Sequence, residues 1–392
     1  MLYFTRMYER LLARRLERHT RNVLLLGPRQ VGKSTLLNAL APDLVINLAS
    51  LANFRQYVTD PGRLERELRA APTASRTVLI DEIQRVPALL DAVQAIIDEH
   101  PRRFRFLLSG SSARKLRRGH ANLLPGRVLV DYLHPLLACE LGGDFQLDLA
   151  LAQGTLPGVW AEPDAALRAH DLRSYTDSYL REEVQAEALV RDIGGYSRLL
   201  DLVAASSGRI INLQALSGDA GVSYETARRY LDVLEDTLVV FRVPAWSGSD
   251  RASLVAHPKL LLFDLGVRNA LLRRPLDHPL DDERGVLLEQ LVGLELQRRC
   301  GGLWPDARLL HFRTRRGVEV DYILQVGRDV WAIEVKAGRS VDARDLRGLT
   351  AFAERAGRVA RRVVVFLGER RQRLGDGVEA IPLEEFLDEL PR

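Results

Sequence analysis

The chain has 392 residues, of which 46% are hydrophobic and 28% charged, a globular balance that excludes a disordered, collagen-like or coiled-coil chain. The length allows two or three domains with cores of their own. Net charge is only +4, so there is no polycationic tail and any nucleic-acid contact would come from local patches.

No apolar run approaches the ~20 residues of a membrane helix, so no membrane association is expected. The N-terminal stretch MLYFTRMYERLLARRLERHT is too charged for a signal peptide. Cys139 and Cys300 cannot build a disulfide framework, which makes a reducing, cytoplasmic setting the default. Of 56 basic residues only Lys33, Lys115, Lys259 and Lys336 are lysine. Arginine abundance is therefore weak information, whereas a retained lysine points to a need for a compact ammonium.

Residues 23–26 (VLLL) form an apolar run ending at a glycine, which predicts a buried parallel strand. It leads into GPRQVGKST, that is Gly27, Pro28, Arg29, Gln30, Val31, Gly32, Lys33, Ser34 and Thr35, and then into the helix-like LLNAL. Strand, GxxxxGK[ST] and helix in that order predict a phosphate loop. Its glycines let the main chain curl so that N–H groups surround phosphate oxygens, and the helix start adds partial positive charge. Lys33 is expected to reach the β- and γ-phosphates of ATP, and Ser34 to ligand Mg²⁺.

A second strand, in TVLIDEIQ (77–84), brings Asp81 and Glu82 to a strand's C-terminal end, where open α/β sheets bind ligands. Asp81 is expected to hold Mg²⁺ through its water shell and Glu82 to polarise the attacking water. A third strand, FRFLLSGSS (104–112), ends in Ser109, Ser111 and Ser112. Ser109 is placed to orient the water near the γ-phosphate; a turn-forming Ser-Gly-Ser-Ser is the alternative.

These three motifs together resemble the AAA+ ATPases. LLSGSSARKL, LPGRV (124–128), PKLLLFDLGVRNAL, GVLLEQLVGLEL and VEVDYIL with WAIEVKAG resemble, more narrowly, a prokaryotic AAA+ group fused to a C-terminal domain of unknown function. That resemblance covers nearly the whole chain. It implies a homo-oligomeric ring, a hexamer being one form, in which an arginine of one subunit reaches the next subunit's γ-phosphate. The candidates are Arg114, Arg117, Arg118 and Arg127, with Arg127 favoured because the Leu-Pro-Gly-Arg turn presents it at an edge. The periodic ALRAHDLRSYTDSYLREEV predicts a helical lid, with Arg173 or Arg181 as a second sensor.

In the middle, LQALSGDA predicts a short helix that meets Gly221, and Ser223 caps a second helix, YETARRYLDVLED. Ala227, Tyr230, Leu231 and Leu234 fall on one face of it. The strand-like LVVFRV follows, giving the order of a winged helix-turn-helix. Ser223, Tyr224, Thr226, Arg228 and Arg229 would meet DNA phosphates or base edges. Winged helices also serve as protein-docking modules, and Glu225 sits among the would-be contacts.

In the last third, PKLLLFDLGVRNALL (258–272) predicts a strand and a helix. GVLLEQLVGLELQRRC predicts an amphipathic helix carrying Glu289, and RLLHFRTRRGVEVDYILQV two strands joined at Arg316-Gly317. Alternation through Val318, Val320 and Tyr322 places Glu319, Asp321 and Ile323 on the opposite face. Glu334 and Lys336 in VWAIEVKAG share a face. A helix and the strand RRVVVFLG close the unit, so the order is helix, three strands, helix, strand. With Glu289, Asp321, Glu334 and Lys336 it resembles the restriction-endonuclease-like fold and its PD-(D/E)xK motif, although Val320 stands where the motif has proline. The resemblance implies Mg²⁺ held by Asp321 and Glu334, Glu289 completing the acidic cluster, and Lys336 beside the attacking water. Arg313, Arg315 and Arg316 would draw phosphate toward that cluster.

The expected architecture is α/β: an AAA+ P-loop core (1–140), a helical lid (141–196), a winged helix-turn-helix (197–255) and a C-terminal restriction-endonuclease-like domain (256–392). The expected function is a Mg²⁺-dependent ATPase that binds and remodels or translocates DNA, branched DNA being one such substrate, with a C-terminal domain that binds or cleaves it. The alternative is a nucleotide-switched interaction protein whose nuclease-like domain is catalytically silent.

Overall fold

A computed structural model describes residues 8–74, 76–111, 124–180, 192–247, 254–300 and 303–391. Ser112, Arg114, Arg117, Arg118 and Arg181 lie outside the described residues. Among those described, no helix is long and apolar enough to cross a membrane. The described chain divides into two compact units, one of residues 8–134 with 233–239, the other drawn from 135–232 and 240–391. The first break falls close to the expected end of the ATPase core at 140. The segments expected as lid and C-terminal domain lie in the second unit, and so does the segment expected as winged helix apart from residues 233–239.

The first unit is built on strands β1 (Asn22–Leu26), β2 (Leu44–Asn47), β3 (Thr77–Asp81), β4 (Arg105–Gly110) and β5 (Val128–Tyr132). They form a sheet in the order β2-β3-β4-β1-β5, with every pairing parallel. β1, β3 and β4 are buried almost end to end, as central parallel strands covered on both faces must be. The edges differ: Val45 on β2 and Val130 and Tyr132 on β5 are exposed. Helix α1 (Lys33–Ala39) follows β1, and α2 (Ala88–Glu99) buries Leu89, Leu90 and Val93 against Leu24, Ile80 and Phe106. The chain leaves β1 toward β2 but leaves β4 toward β5 on the other side. Neighbouring strands with oppositely directed connections open a crevice at their carboxyl ends. Gly27–Gly32 and Ser109–Ser111 stand at that crevice.

In the second unit, α3 (Leu147–Gln153) and α4 (Ala165–Ser174) are followed by a π-helical turn over Tyr175–Leu180. Asp164 caps α4, accepting from Ala166 N (2.7 Å) and Leu167 N (3.1 Å). Helices α5 (Ile193–Ala205), α6 (Leu213–Ala220) and α7 (Tyr224–Asp236) come next. Ser223 caps α7, its Oγ accepting from Thr226 N at 3.2 Å. Ala227, Tyr230, Leu231 and Leu234 are buried, as their spacing predicts. Strand β6 (Val240–Val243) pairs antiparallel with β7 (Lys259–Leu262). β7 was expected with the C-terminal segment, so the expected boundary at 255 falls between two paired strands.

Helices α8 (Leu265–Leu271) and α9 (Arg284–Gln297) lead to a six-stranded sheet. β8 (Ala307–Arg313), β9 (Glu319–Val326) and β10 (Asp329–Lys336) form an antiparallel meander. Helix α10 (Arg347–Ala356) crosses to β11 (Arg361–Phe366), parallel to β10. β12 (Gln372–Arg373) and β13 (Val378–Pro382) complete the sheet beyond β11. From α9 the order is helix, three strands, helix, strand. Phe312 and Phe352 pack edge to face at 5.2 Å between β8 and α10, a preferred aromatic geometry.

Two expectations change here. α9 is not amphipathic: Leu287, Leu288, Leu291, Val292, Leu294 and Leu296 are buried, as are Gln290 and Glu295. It lies against α3 and α8 as well as β8, β9 and β10, so no face is left to solvent along most of its length. The alternation in β9 also breaks. Leu310 pairs with Ile323 but Phe312 with Val320, so Asp321 and Tyr322 together oppose His311 in a β-bulge. Val320 therefore joins Ile323 in the hydrophobic cluster with Leu349 and Phe352 instead of sharing a face with Tyr322. Bulges re-aim side chains beside functional sites, and this one carries Asp321.

Candidate active site

At the end of β1 the chain turns sharply. A Cβ on Gly27 would lie 2.2 Å from the carbonyl oxygen of Leu133, so only glycine fits there. Gln30 (φ 63) and Gly32 (φ 91) are left-handed and curl the loop into α1. Arg10 is buried beneath it, donating to Val31 O (2.8 Å) and His134 O (2.6 Å). Lys33 is buried, and its Nζ donates to Gly27 O and Pro28 O, both at 2.8 Å. Carbonyls of the loop thereby offset the cost of burying its charge.

Ser34 on α1 meets Asp81 at the tip of β3: its Oγ lies 2.9 Å and 2.8 Å from the two carboxylate oxygens. Ser109, at the end of β4, donates to the same carboxylate. Three elements thus converge on Asp81. The main chain turns at once after Asp81, with Glu82 left-handed at φ 61. Glu82 N donates to Ser109 Oγ at 2.9 Å, so the strand ends one residue before Glu82. Gln84, buried and missed by the sequence reading, donates both to the Glu82 carboxylate and to Ser111 Oγ (3.0 Å). A hydroxyl and a carboxylate side by side are oxygen donors of the kind Mg²⁺ takes, so these residues fit the ion.

Arg127 lies at the opposite end of the sheet. It precedes Val128, the partner of Asn22 at the start of β1, while the phosphate loop follows Leu26. Its guanidinium is bidentate with Asp98 on α2, at 2.7 Å and 2.9 Å, and this pairing holds the Asp98 carboxyl below its usual range. Arg127 cannot act on the nucleotide of its own chain. Arg173 is exposed on α4.

The second constellation lies in the other unit. Glu289 is on α9, Asp321 on β9, Glu334 and Lys336 on β10. Asp321 Oδ2 accepts from Val335 N at 2.8 Å, tying the bulge to β10. Lys336 Nζ donates to Glu334 Oε1 at 2.7 Å, while Glu334 Oε2 is buried with no hydrogen-bond partner among the described residues. Burial, and then the charge of Asp321, push the Glu334 carboxyl up to about 8 and that of Glu289 up to about 7. Burial alone would lower Lys336, but Glu334 and Asp321 more than reverse it.

Glu289 is engaged elsewhere. Its Oε1 accepts from Lys259 Nζ at 2.6 Å, and Lys259, on β7, was not placed in any site by the sequence reading. Its one signal was rarity, as one of four lysines. Among the described residues no group of three or more His, Cys, Asp or Glu side chains is gathered to hold a metal ion. The three carboxylates expected as one metal cluster are therefore not one ligand set. Asp321 and Glu334 fit a divalent cation better, because the orphaned Glu334 Oε2 is a buried oxygen in need of a partner. Arg315 and Arg316 are exposed at the β8–β9 turn, and Arg313 pairs with Glu319 at 3.3 Å.

Residues 19–142 match the family model described as "AAA domain". The chain carries an AAA-type ATPase domain. Residues 144–277 match "Domain of unknown function (DUF8612)" and residues 284–386 "Domain of unknown function (DUF4143)". Uncharacterized proteins of Mycobacterium bovis and Mycobacterium tuberculosis are each 28% identical over 381 residues, covering 93% of this chain and 80% of theirs. Among solved structures, a signal transduction ATPase with a tetratricopeptide repeat sensor from Pyrococcus horikoshii is similar at TM-score 0.27 and 11% identity, over 76% of this chain and 46% of that one. The match at 144–277 runs through α3 to α8, across the expected boundaries at 196 and 255.

Proposed function

We propose that the protein is a Mg²⁺-dependent ATPase that works on DNA. The observation that carries the ATPase part is the meeting of Ser34, Ser109 and Asp81 at the carboxyl ends of neighbouring parallel strands. Mg²⁺ held by Ser34 and Asp81 would neutralise charge that develops on the phosphoryl oxygens. Lys33 swings from the loop carbonyls to the β- and γ-phosphates. Ser109 and Gln84 fix Glu82, which takes a proton from the attacking water as that water's oxygen bonds to the γ-phosphorus. The bond to the β–γ bridging oxygen breaks and ADP leaves. Arg127 acts across a subunit boundary in a ring.

DNA enters through the start of α7, where Ser223, Tyr224, Arg228 and Arg229 are exposed, and through the basic turn at Arg315 and Arg316. α5 to α7 with β6 and β7 serve as a winged helix, and α9 to β11 as a nuclease-like fold. Asp321 and Glu334 would hold a divalent ion there, and Lys336 would stabilise charge on the scissile phosphate. Arginine is the planar phosphate binder, and both surfaces use it.

The deciding experiment measures phosphate release with Mg²⁺, ATP and single-stranded, duplex, forked and four-way DNA. Lys33→Ala should abolish hydrolysis. A variant that keeps full activity would end the phosphate-loop assignment. A wild-type rate that no DNA form changes would instead favour a nucleotide-switched interaction protein.

A further inference from the structure

Lys259 makes three contacts from one position. Its Nζ donates to Glu289 Oε1 at 2.6 Å and to Asp321 O at 3.1 Å, and it lies 4.7 Å from the centre of the Tyr322 ring. The side chain is almost fully buried. The surroundings are built to receive it. Tyr322 OH donates to Glu289 O at 3.0 Å. A Cβ on Gly293, one turn along α9, would come within 2.2 Å of that hydroxyl, so glycine is what lets the ring lie against the helix. One point in space thus has a carboxylate oxygen, a carbonyl oxygen and an aromatic face turned toward it, all of which attract a compact cation. Arginine would not replace it: a guanidinium spreads its donors in one plane, whereas an ammonium directs three tetrahedrally.

The neighbouring position differs. Glu334 Oε2 is buried with no hydrogen-bond partner among the described residues, and the residue is only 7% exposed. Among the described residues no lysine contacts that oxygen; Lys336 takes Oε1. Of the two oxygen-lined positions beside Asp321, one is filled by protein and the other has an acceptor left over.

We propose that Lys259 is a built-in cation standing where a second divalent ion would sit between Glu289 and Asp321, so that the cluster takes one divalent ion, at Asp321 and Glu334. This rests on reading the cluster as a metal site. It assigns Glu289 to holding Lys259 and makes Lys259 a positioning residue that ties β7 to α9 and β9.

The test counts Mn²⁺ bound by the nucleotide-free full chain, reading free Mn²⁺ by electron paramagnetic resonance. Ions bound at the phosphate loop are common to all variants and cancel in the differences. Glu334→Gln should lower the wild-type count by one, and Glu289→Gln should leave it unchanged. Lys259→Met should raise it by one, and adding Glu289→Gln should remove that gain. If Lys259→Met binds no extra ion while Glu334→Gln still loses one, the built-in cation is wrong and the metal site stands. A second wild-type ion that disappears with Glu289→Gln overturns it equally, and needs no Lys259 variant to fold. If neither Glu334→Gln nor Asp321→Asn changes the count, the metal reading itself falls and takes this inference with it.

Discussion

Ser34 and Asp81, 47 positions apart in the chain, sit with the serine hydroxyl 2.9 Å and 2.8 Å from the two carboxylate oxygens. One residue comes from the phosphate loop and the other from the next buried strand but one, so the contact exists only when β1 and β3 flank β4 in a single sheet. Asp81→Asn keeps the shape and the hydroxyl contacts but removes the charge. It should lower Mg²⁺-dependent ATP hydrolysis by about 100-fold or more, the scale of losing one stabiliser of transition-state charge. Nucleotide binding in EDTA should be unchanged. Phosphate release and fluorescent-nucleotide titration check the two halves, and normal turnover in Asp81→Asn would remove Asp81 from the mechanism.

Arg127 lies at the end of the sheet opposite its own phosphate loop, so the role in hydrolysis proposed for it requires a neighbouring subunit. Lys33→Ala and Arg127→Ala should each be inactive alone. Mixed in equal amounts they should recover roughly a quarter of wild-type activity, the chance that an intact loop sits beside an intact arginine. A mixture as inactive as its parts would refute action in trans.

Asp321→Ala and Lys336→Ala should each abolish Mg²⁺-dependent nicking of supercoiled plasmid and leave ATP hydrolysis at the wild-type rate, since both residues lie in the unit without the phosphate loop. Nicking equal in wild type and both variants would assign the cleavage to another site or a contaminant.

His311 opposes the bulge and is buried, its Nε2 bonded to His257 O at 2.9 Å and its Nδ1 without a partner among the described residues. A second ring proton would find no acceptor. Burial accordingly lowers the imidazole from 6.5 to about 4. Between those values the unfolded chain takes a proton that the folded chain refuses. The stability due to neutral His311 is complete above pH 6.5 and is lost as pH falls toward 4, by on the order of 3 kcal/mol. Urea midpoints at pH 7 and pH 4.5 should therefore differ less in His311→Gln than in wild type. Identical acid sensitivity in the two proteins would show that His311 does not contribute.

The local elements were legible because their signals are local. Gly27–Thr35, the apolar strands before Asp81 and Ser109, and the capped helix after Ser223 each depend on residues a few positions apart, where periodicity and turn chemistry act directly. Gln84 escaped notice because its role depends on Ser111, which is near only once β3 and β4 pair.

The second constellation shows the limit more sharply. Its residue types could be listed from spacing, and the sequence of elements from α9 to β11 could be written down in advance. The bulge at Asp321 and Tyr322 could not, because a bulge is a difference in residue count between two strands and neither strand contains it alone. Nor could the burial of α9, which packs against α3, more than a hundred residues earlier, as well as α8, β8, β9 and β10. The link from Lys259 to Glu289 spans 30 positions, and β7 reveals which sheet it joins only by pairing with β6. Chemistry carried by neighbours along the chain was written in the order of residues. That Glu289 meets Lys259, and that Glu334 keeps one buried oxygen without a hydrogen-bond partner among the described residues, follow from packing between distant segments, since burial and charge depend on what surrounds a group in space.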